Sequence, residues 1–177
     1  MDWLLQPIRV GIKISVHAML RETIQKTLRC NMDHLAYCEA KAKELEKILN
    51  GEKSMLIRGA AGRKLPYGRV TQGDTIYLIE NNGKGLIVAK GEVAEVINSD
   101  KLSEEESEQL ILDHMPKLRL IDDQFKRWSG KRYLCLIEMK NVTSIPPFTY
   151  ERVGNMDDWI TVNTIDEIKK ENRANDF

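Results

Sequence analysis

Apolar and polar residues alternate strictly from Ile8 to Val16. Ile8, Val10, Ile12, Ile14 and Val16 fall on one face and Arg9, Gly11, Lys13 and Ser15 on the other, the period of a half-buried strand. The period then lengthens: Leu20, Ile24 and Leu28 recur at four-residue spacing and predict a helix over 18–30. A second helix is predicted over 39–50, with Leu45, Ile48 and Leu49 on its apolar face and Gly51 as its stop. Beyond it strands dominate, at about 54–58, 75–79, 86–97, 131–141 and 159–162. The turn residues Asn81-Asn82-Gly83-Lys84-Gly85 join the second and third of these as a hairpin. Ser103-Glu-Glu-Glu106 has the spacing of a capping box and predicts an acidic helix over 104–115, stopping before Pro116. Pro146-Pro147 closes the long strand, Thr164 caps a short final helix, and the tail 171–177 is expected to fray. Many short strands with few helices predict an α+β chain: a small, mostly antiparallel β-barrel with peripheral helices.

Composition narrows the classes. A chain of 177 residues supports one well-packed core. Its 27 basic and 27 acidic residues cancel, which excludes a protein that coats nucleic acid through bulk positive charge. The zero hides an uneven distribution. Glu104, Glu105, Glu106, Glu108 and Asp113 make one segment acidic, whereas the stretch from Lys53 to Arg69 is basic. Cys30, Cys38 and Cys135 lack metal-ligand spacing, and an odd cysteine count without a secretory leader points to reduced thiols in the cytoplasm. No apolar run approaches the roughly 20 residues that span a bilayer, so no membrane is implied. His17, His34 and His114 have no partner at metal or triad spacing and are read as incidental; no metal or cofactor is expected.

The candidate chemistry gathers at one helix-to-strand corner. Lys53 and Ser54 follow the Gly51 turn, Arg58 ends the apolar strand Met55-Leu56-Ile57, and Arg63, Lys64, Tyr67 and Arg69 lie in the Gly/Pro-punctuated loop that follows. Cations at a concave corner bind phosphate or carbonyl oxygens, arginine through two parallel donors, and an aromatic face can hold a base. Each has a plainer reading. Lys53 beside a helix end can be a solvated cation on the helix dipole, Arg58 a structural ion pair, and the loop cations solvated charges. Tyr67, Trp128 and Trp159 can be core aromatics, and Asp74 a turn cap.

These residues, in this order, resemble the ASCH domains of the PUA-like superfamily. Gly51, Lys53, Ser54 and Arg58 match the family's glycine, lysine, hydroxyl residue and strand-ending arginine, and Gly73-Asp74-Thr-Ile-Tyr77 matches its step into the next strand. Lys131-Arg-Tyr133, Met139 to Val142, Pro147-Phe148 and Met156 to Val162 are similar to one prokaryotic branch. The resemblance spans about 32–170. It leaves residues 1–31 as an N-terminal extension of strand plus helix, or as a start-site artefact if translation begins at Met32. It implies a PUA-like barrel with a cleft for RNA or a nucleotide, lined by the lysine and the arginine. Some relatives are amidohydrolases of acylated cytidine that use a lysine, a threonine and a glutamate. Lys53 carries over; Leu56 stands where the family has glutamate or threonine, Ile57 where it often has serine, and Gly59 where it often has an aromatic residue.

Two functions follow. The first is a non-catalytic RNA- or nucleotide-binding module with a basic cleft made by Lys53, Ser54, Arg58, Arg63, Lys64, Tyr67 and Arg69. The second is a small amidohydrolase of a modified nucleoside with Lys53 as the activated group. Burying the five β-branched residues of 8–16 at roughly 1.5–3 kcal/mol each is a large gain, so the extension is expected to add a strand to the barrel or to form a homodimer contact.

Overall fold

A computed structural model of the chain describes residues 31–152 and 157–170. They form a mixed α+β unit around one six-stranded sheet. In chain order the elements are β1 (Asp33–Cys38), α1 (Glu44–Leu49), β2 (Met55–Ala60), β3 (Thr75–Glu80), β4 (Leu86–Asn98), α2 (Glu104–Leu118), α3 (Asp122–Trp128), β5 (Tyr133–Thr149), β6 (Trp159–Val162) and a 3₁₀ turn at Ile165–Glu167. The sheet order is β2-β5-β4-β3-β1-β6. Every neighbouring pair is antiparallel except β1 with β3. The sheet curls until its edges approach: Arg58 on edge strand β2 donates from Nη2 to the Tyr37 carbonyl on β1 at 2.7 Å. The result is a half-barrel whose seam is bridged by a side chain rather than by a backbone ladder.

Alternation along β2 explains its unbroken apolar run. Met55 and Ile57 face outward onto Ile111 and Leu118 of α2, with Leu134 and Leu136 of β5. Leu56 faces inward, among Ala36, Ile76, Leu78, Val93, Ile137 and Trp159. A strand covered on both faces has no use for a polar phase. A third cluster, with Leu35, Ile79, Ile87, Tyr150 and Ile165, closes the far end.

The hairpin, the 159–162 strand and the Ser103 cap stand as expected. Ser103 Oγ accepts from the Glu106 N–H at 3.2 Å, and the Glu106 carboxylate accepts from the Ser103 N–H at 2.7 Å. Five elements differ. β1 is a strand that the sequence pattern did not predict, and its parallel pairing with β3 is set by contacts distant in sequence. Helix α1 starts late because Lys43 adopts a left-handed φ of 51° and the Glu44 carboxylate takes up the Glu39 N–H at 2.9 Å. Helix α2 continues past Pro116 to Leu118, since its last turn is held from outside: Leu118 is fully buried and the Lys117 carbonyl accepts from Ser54 N–H at 3.1 Å. Strand β5 continues past Pro146-Pro147. These prolines fall where Ser144 pairs with Ala89 and Phe148 with Ile87, a bulge in which no ladder N–H is required. Helix α3 was also unforeseen. Among the described residues, no helix is long and apolar enough to cross a membrane. The strand and helix expected in 1–31, and the frayed tail, lie outside the described residues, apart from Asn31.

Candidate functional site

The Gly51 turn, with φ of 80°, sends the chain back so that Lys53 enters the interior just before β2. Lys53 is only 2% exposed. Its Nζ lies 3.1 Å from Glu44 Oε1 and donates to the Leu118 carbonyl at the C-terminus of α2. Burial draws the Lys53 ammonium below the ordinary lysine value, and the Glu44 carboxylate offsets part of that cost. For Glu44, burial pushes the carboxyl up, but the Lys53 and Arg58 charges and the Glu39 N–H outweigh it and hold it low. One ion pair thereby ties α1, β2 and the end of α2 together. Ser54 is half-buried and its backbone is engaged on both sides, by the Lys117 carbonyl and by the Met139 N–H at 2.8 Å.

Arg58 is also buried but occupies the seam. Its Nη1 donates to the Ile57 carbonyl at 2.8 Å, its Nε lies 2.8 Å from Asp158 Oδ2, and its guanidinium stands 5.6 Å from the Trp159 ring centre. The Nε–H is not aligned with the carboxylate, so the Asp158 contact is an ion pair rather than a directed hydrogen bond. Trp159 in turn donates to His34 Nδ1 at 3.3 Å, and His34 Nε2 lies 3.1 Å from Asp74 Oδ2. The Trp159 donor makes Nδ1 the acceptor and Nε2–H the donor to Asp74. His34 is therefore a buried hub. Asp74 caps its turn through the Thr71 N–H, as the sequence suggested, and anchors β1 through the Met32 N–H.

Beside the seam opens a cavity of about 390 Å³. Arg58, Lys64, Tyr67, Trp128, Tyr133, Asp157 and Asp158 line it, with Gly59 and Cys135 between them. Tyr67 and Tyr133 meet edge to face at 5.7 Å, and the Tyr67 hydroxyl donates to the Ser99 carbonyl at 2.5 Å, which fixes its ring. Gly59 keeps this wall open: a Cβ there would stand 2.6 Å from Leu134 Cδ2 and 3.2 Å from Lys131 Cβ, so a larger residue would require Leu134 to shift. Where the resemblance implies an aromatic residue, at 59, the aromatic faces of this cavity come from Tyr67, Trp128 and Tyr133. Burial pushes the Cys135 thiol up to about 12, so it is inert. The cavity carries two cations and two carboxylates, and it is not the uniformly basic cleft that the sequence suggested.

A second cavity of about 400 Å³ adjoins it, sharing Leu65 and Tyr67. Arg63, Arg69 and Thr161 complete its lining, so its charged side chains are all cationic. Arg63 sits over both Tyr67 and Tyr133, at 5.7 and 5.4 Å. The structure therefore gathers Arg58, Arg63, Lys64, Tyr67 and Arg69 around two adjoining cavities. Lys53 and Ser54 line neither.

Comparison with known folds agrees with this architecture. The crystal structure of ASCH from Zymomonas mobilis superposes with a TM-score of 0.50 at 13% identity, covering 66% of this chain and 73% of that one. A tyrosine-to-phenylalanine variant of that protein gives 0.51 at 12% identity, over 66% and 75% of the two chains. A serine-to-alanine variant gives 0.52 at 13% identity, over 69% and 77%. The chain has the ASCH fold. Neither a family model nor a curated protein matches it in sequence, and at such identity the likeness concerns the fold alone. Within the ASCH fold, four participants escaped the sequence reading. Glu44 is nine residues before Lys53 on a helix, Asp157 and Asp158 follow a long strand, and Tyr133 reads as a strand aromatic. The Gly51 turn brings Glu44 to Lys53, the β2–β5 pairing brings Tyr133 beside the 59–69 loop, and the curling of the sheet brings Asp157 and Asp158 to Arg58.

Proposed function

We propose that the chain is an RNA- or nucleotide-binding module whose ligand occupies the two cavities beside the seam. The observation that carries this reading is the convergence of Tyr67, Trp128 and Tyr133 on one cavity, next to a second flanked by Arg63 and Arg69. Aromatic faces hold bases by stacking, at about 1–3 kcal/mol per base, and cations hold the backbone. Cavities of this size suit single-stranded or loop RNA, whose bases can be splayed out, better than a duplex. Buried free thiols at Cys38 and Cys135 fit a cytoplasmic location, and a homodimer contact through 1–31 belongs to the same reading. The test is titration of a labelled single-stranded RNA. Trp128→Ala should weaken binding about tenfold or more, and an unchanged dissociation constant would remove the cavity from the site.

The amidohydrolase reading is favoured by one observation, a carboxylate, Glu44, in direct reach of Lys53. Against it, the ammonium is enclosed, and Leu56 and Ile57 place apolar side chains in the core where a proton relay would be needed. Incubation with acylated cytidine should release no acyl group above background. Turnover that disappears in Lys53→Ala would promote this second reading.

A further inference from the structure

The cavity's carboxylates have no place in a site that only grips phosphate. Asp157 and Asp158 would repel it, and phosphate already has a better position against Arg63 and Arg69 in the adjoining cavity. Their presence is useful to a ligand that donates hydrogen bonds.

We propose that the first cavity selects a guanine-type base, the two carboxylates accepting from its adjacent N–H groups while the neighbouring cations face its carbonyl edge. This rests on the nucleotide-binding reading above. Arg58 and Asp158 are held 2.8 Å apart, so the cavity wall presents donors directly beside acceptors. Of the five guanidinium N–H groups, one is taken by Ile57 and one by Tyr37. The Asp158 side chain is 56% exposed, leaving its second oxygen open to a ligand. Asp157 is exposed and, among the described residues, has no hydrogen-bonding or ionic partner.

Guanine is the RNA base that matches such a wall. It carries two adjacent donors, N1–H and the 2-amino group, beside the O6 acceptor, and arginine or lysine pairs well with O6 and N7. Uracil places one donor between two acceptors. Adenine and cytosine each offer one amino group beside ring acceptors, which would oppose carboxylate oxygens. A buried donor or acceptor left unpaired is costly, so the mismatch discriminates as well as the match. The Tyr67 ring, shared by both cavities, sets the base and its phosphate on either side of one residue.

The experiment uses the full chain and single-stranded RNA pentamers of uridine whose central base is guanine, inosine, adenine, cytosine or uracil. Guanine should bind roughly tenfold or more tightly than the rest, the discrimination expected of one good bidentate pair. Inosine, which lacks the 2-amino group, should lose most of that preference. Asp157→Asn should flatten the ranking by weakening guanine toward the other four bases; it leaves the Arg58–Asp158 pair intact and alters no buried residue. Equal binding of all five pentamers, or an undiminished guanine preference in Asp157→Asn, would overturn the guanine proposal and leave nucleotide binding standing. Absence of binding to every pentamer would overturn both.

Discussion

Lys53 and Arg63 lie ten positions apart in one basic stretch, yet they have opposite surroundings. Lys53 is enclosed, with its ammonium between the Glu44 carboxylate and the end of α2. Arg63 is exposed and rests on two tyrosine rings beside an open cavity. The first exchanges hydration for a buried partner, so its charge becomes a constraint on packing. The second keeps its hydration and its field reaches solvent, so its charge is available to a ligand. Arg58 stands between them, buried like Lys53 but forming part of a cavity wall. Sign of charge alone therefore did not decide which cations border the cavities; the partner each one meets did.

The sharpest way to break this contrast is to remove the buried partner. Glu44→Ala leaves the Lys53 ammonium enclosed without a carboxylate, and should lower unfolding free energy by about 3–5 kcal/mol in urea denaturation. Replacing both members, as Glu44→Leu with Lys53→Met, should recover most of that loss, because two apolar side chains carry no desolvation cost. A midpoint unchanged in Glu44→Ala would mean that the pair holds nothing together.

Arg58→Ala should have the next largest effect. It strands the Tyr37 and Ile57 carbonyls at the seam, and hydrogen bonds to charged groups contribute about 1.5–3 kcal/mol. Lysine should not rescue it, since it lacks the planar fork that reaches both carbonyls. Full rescue by Arg58→Lys in the same denaturation assay would reduce the seam to a simple charge contact.

The pH dependence sharpens the same point. Glu44 and Asp74 both sit below their ordinary carboxyl values: burial opposes this, and for Asp74 the Met32 and Thr71 N–H groups and His34 outweigh it. A depressed folded-state value contributes stability above the unfolded value and loses it as pH falls through the folded one. Stability should therefore be flat near neutrality and decline below about pH 4. Chemical denaturation across that range checks it, and a decline beginning near neutrality would assign the loss to other groups.

The loop cations should show the smallest effect on folding. Arg63→Ala and Arg69→Ala should each change stability by less than about 0.5 kcal/mol. Each should also reduce the salt slope of RNA affinity by about 0.7. A stability loss as large as that of Glu44→Ala would erase the distinction between the two regions.

Local sequence alone determined the elements whose signals are local. The hairpin at Asn82-Gly83 and the Ser103–Glu106 capping box were readable because their interactions close within a few residues. The α+β class and the grouping of Arg58, Arg63, Lys64, Tyr67 and Arg69 were readable for the same reason, as they occupy one strand end and the loop that follows. Tertiary structure decided the rest. Whether Pro116 ended a helix depended on Leu118 and on what received its last carbonyls, and β1 became a strand through partners at residues 75–80 and 159–162. The division of the cations into one packed inside and several facing cavities depended on which carboxylates the curled sheet brought near. Burial and pairing arise between residues far apart in the chain, and no periodicity records which distant side chain will supply the missing charge.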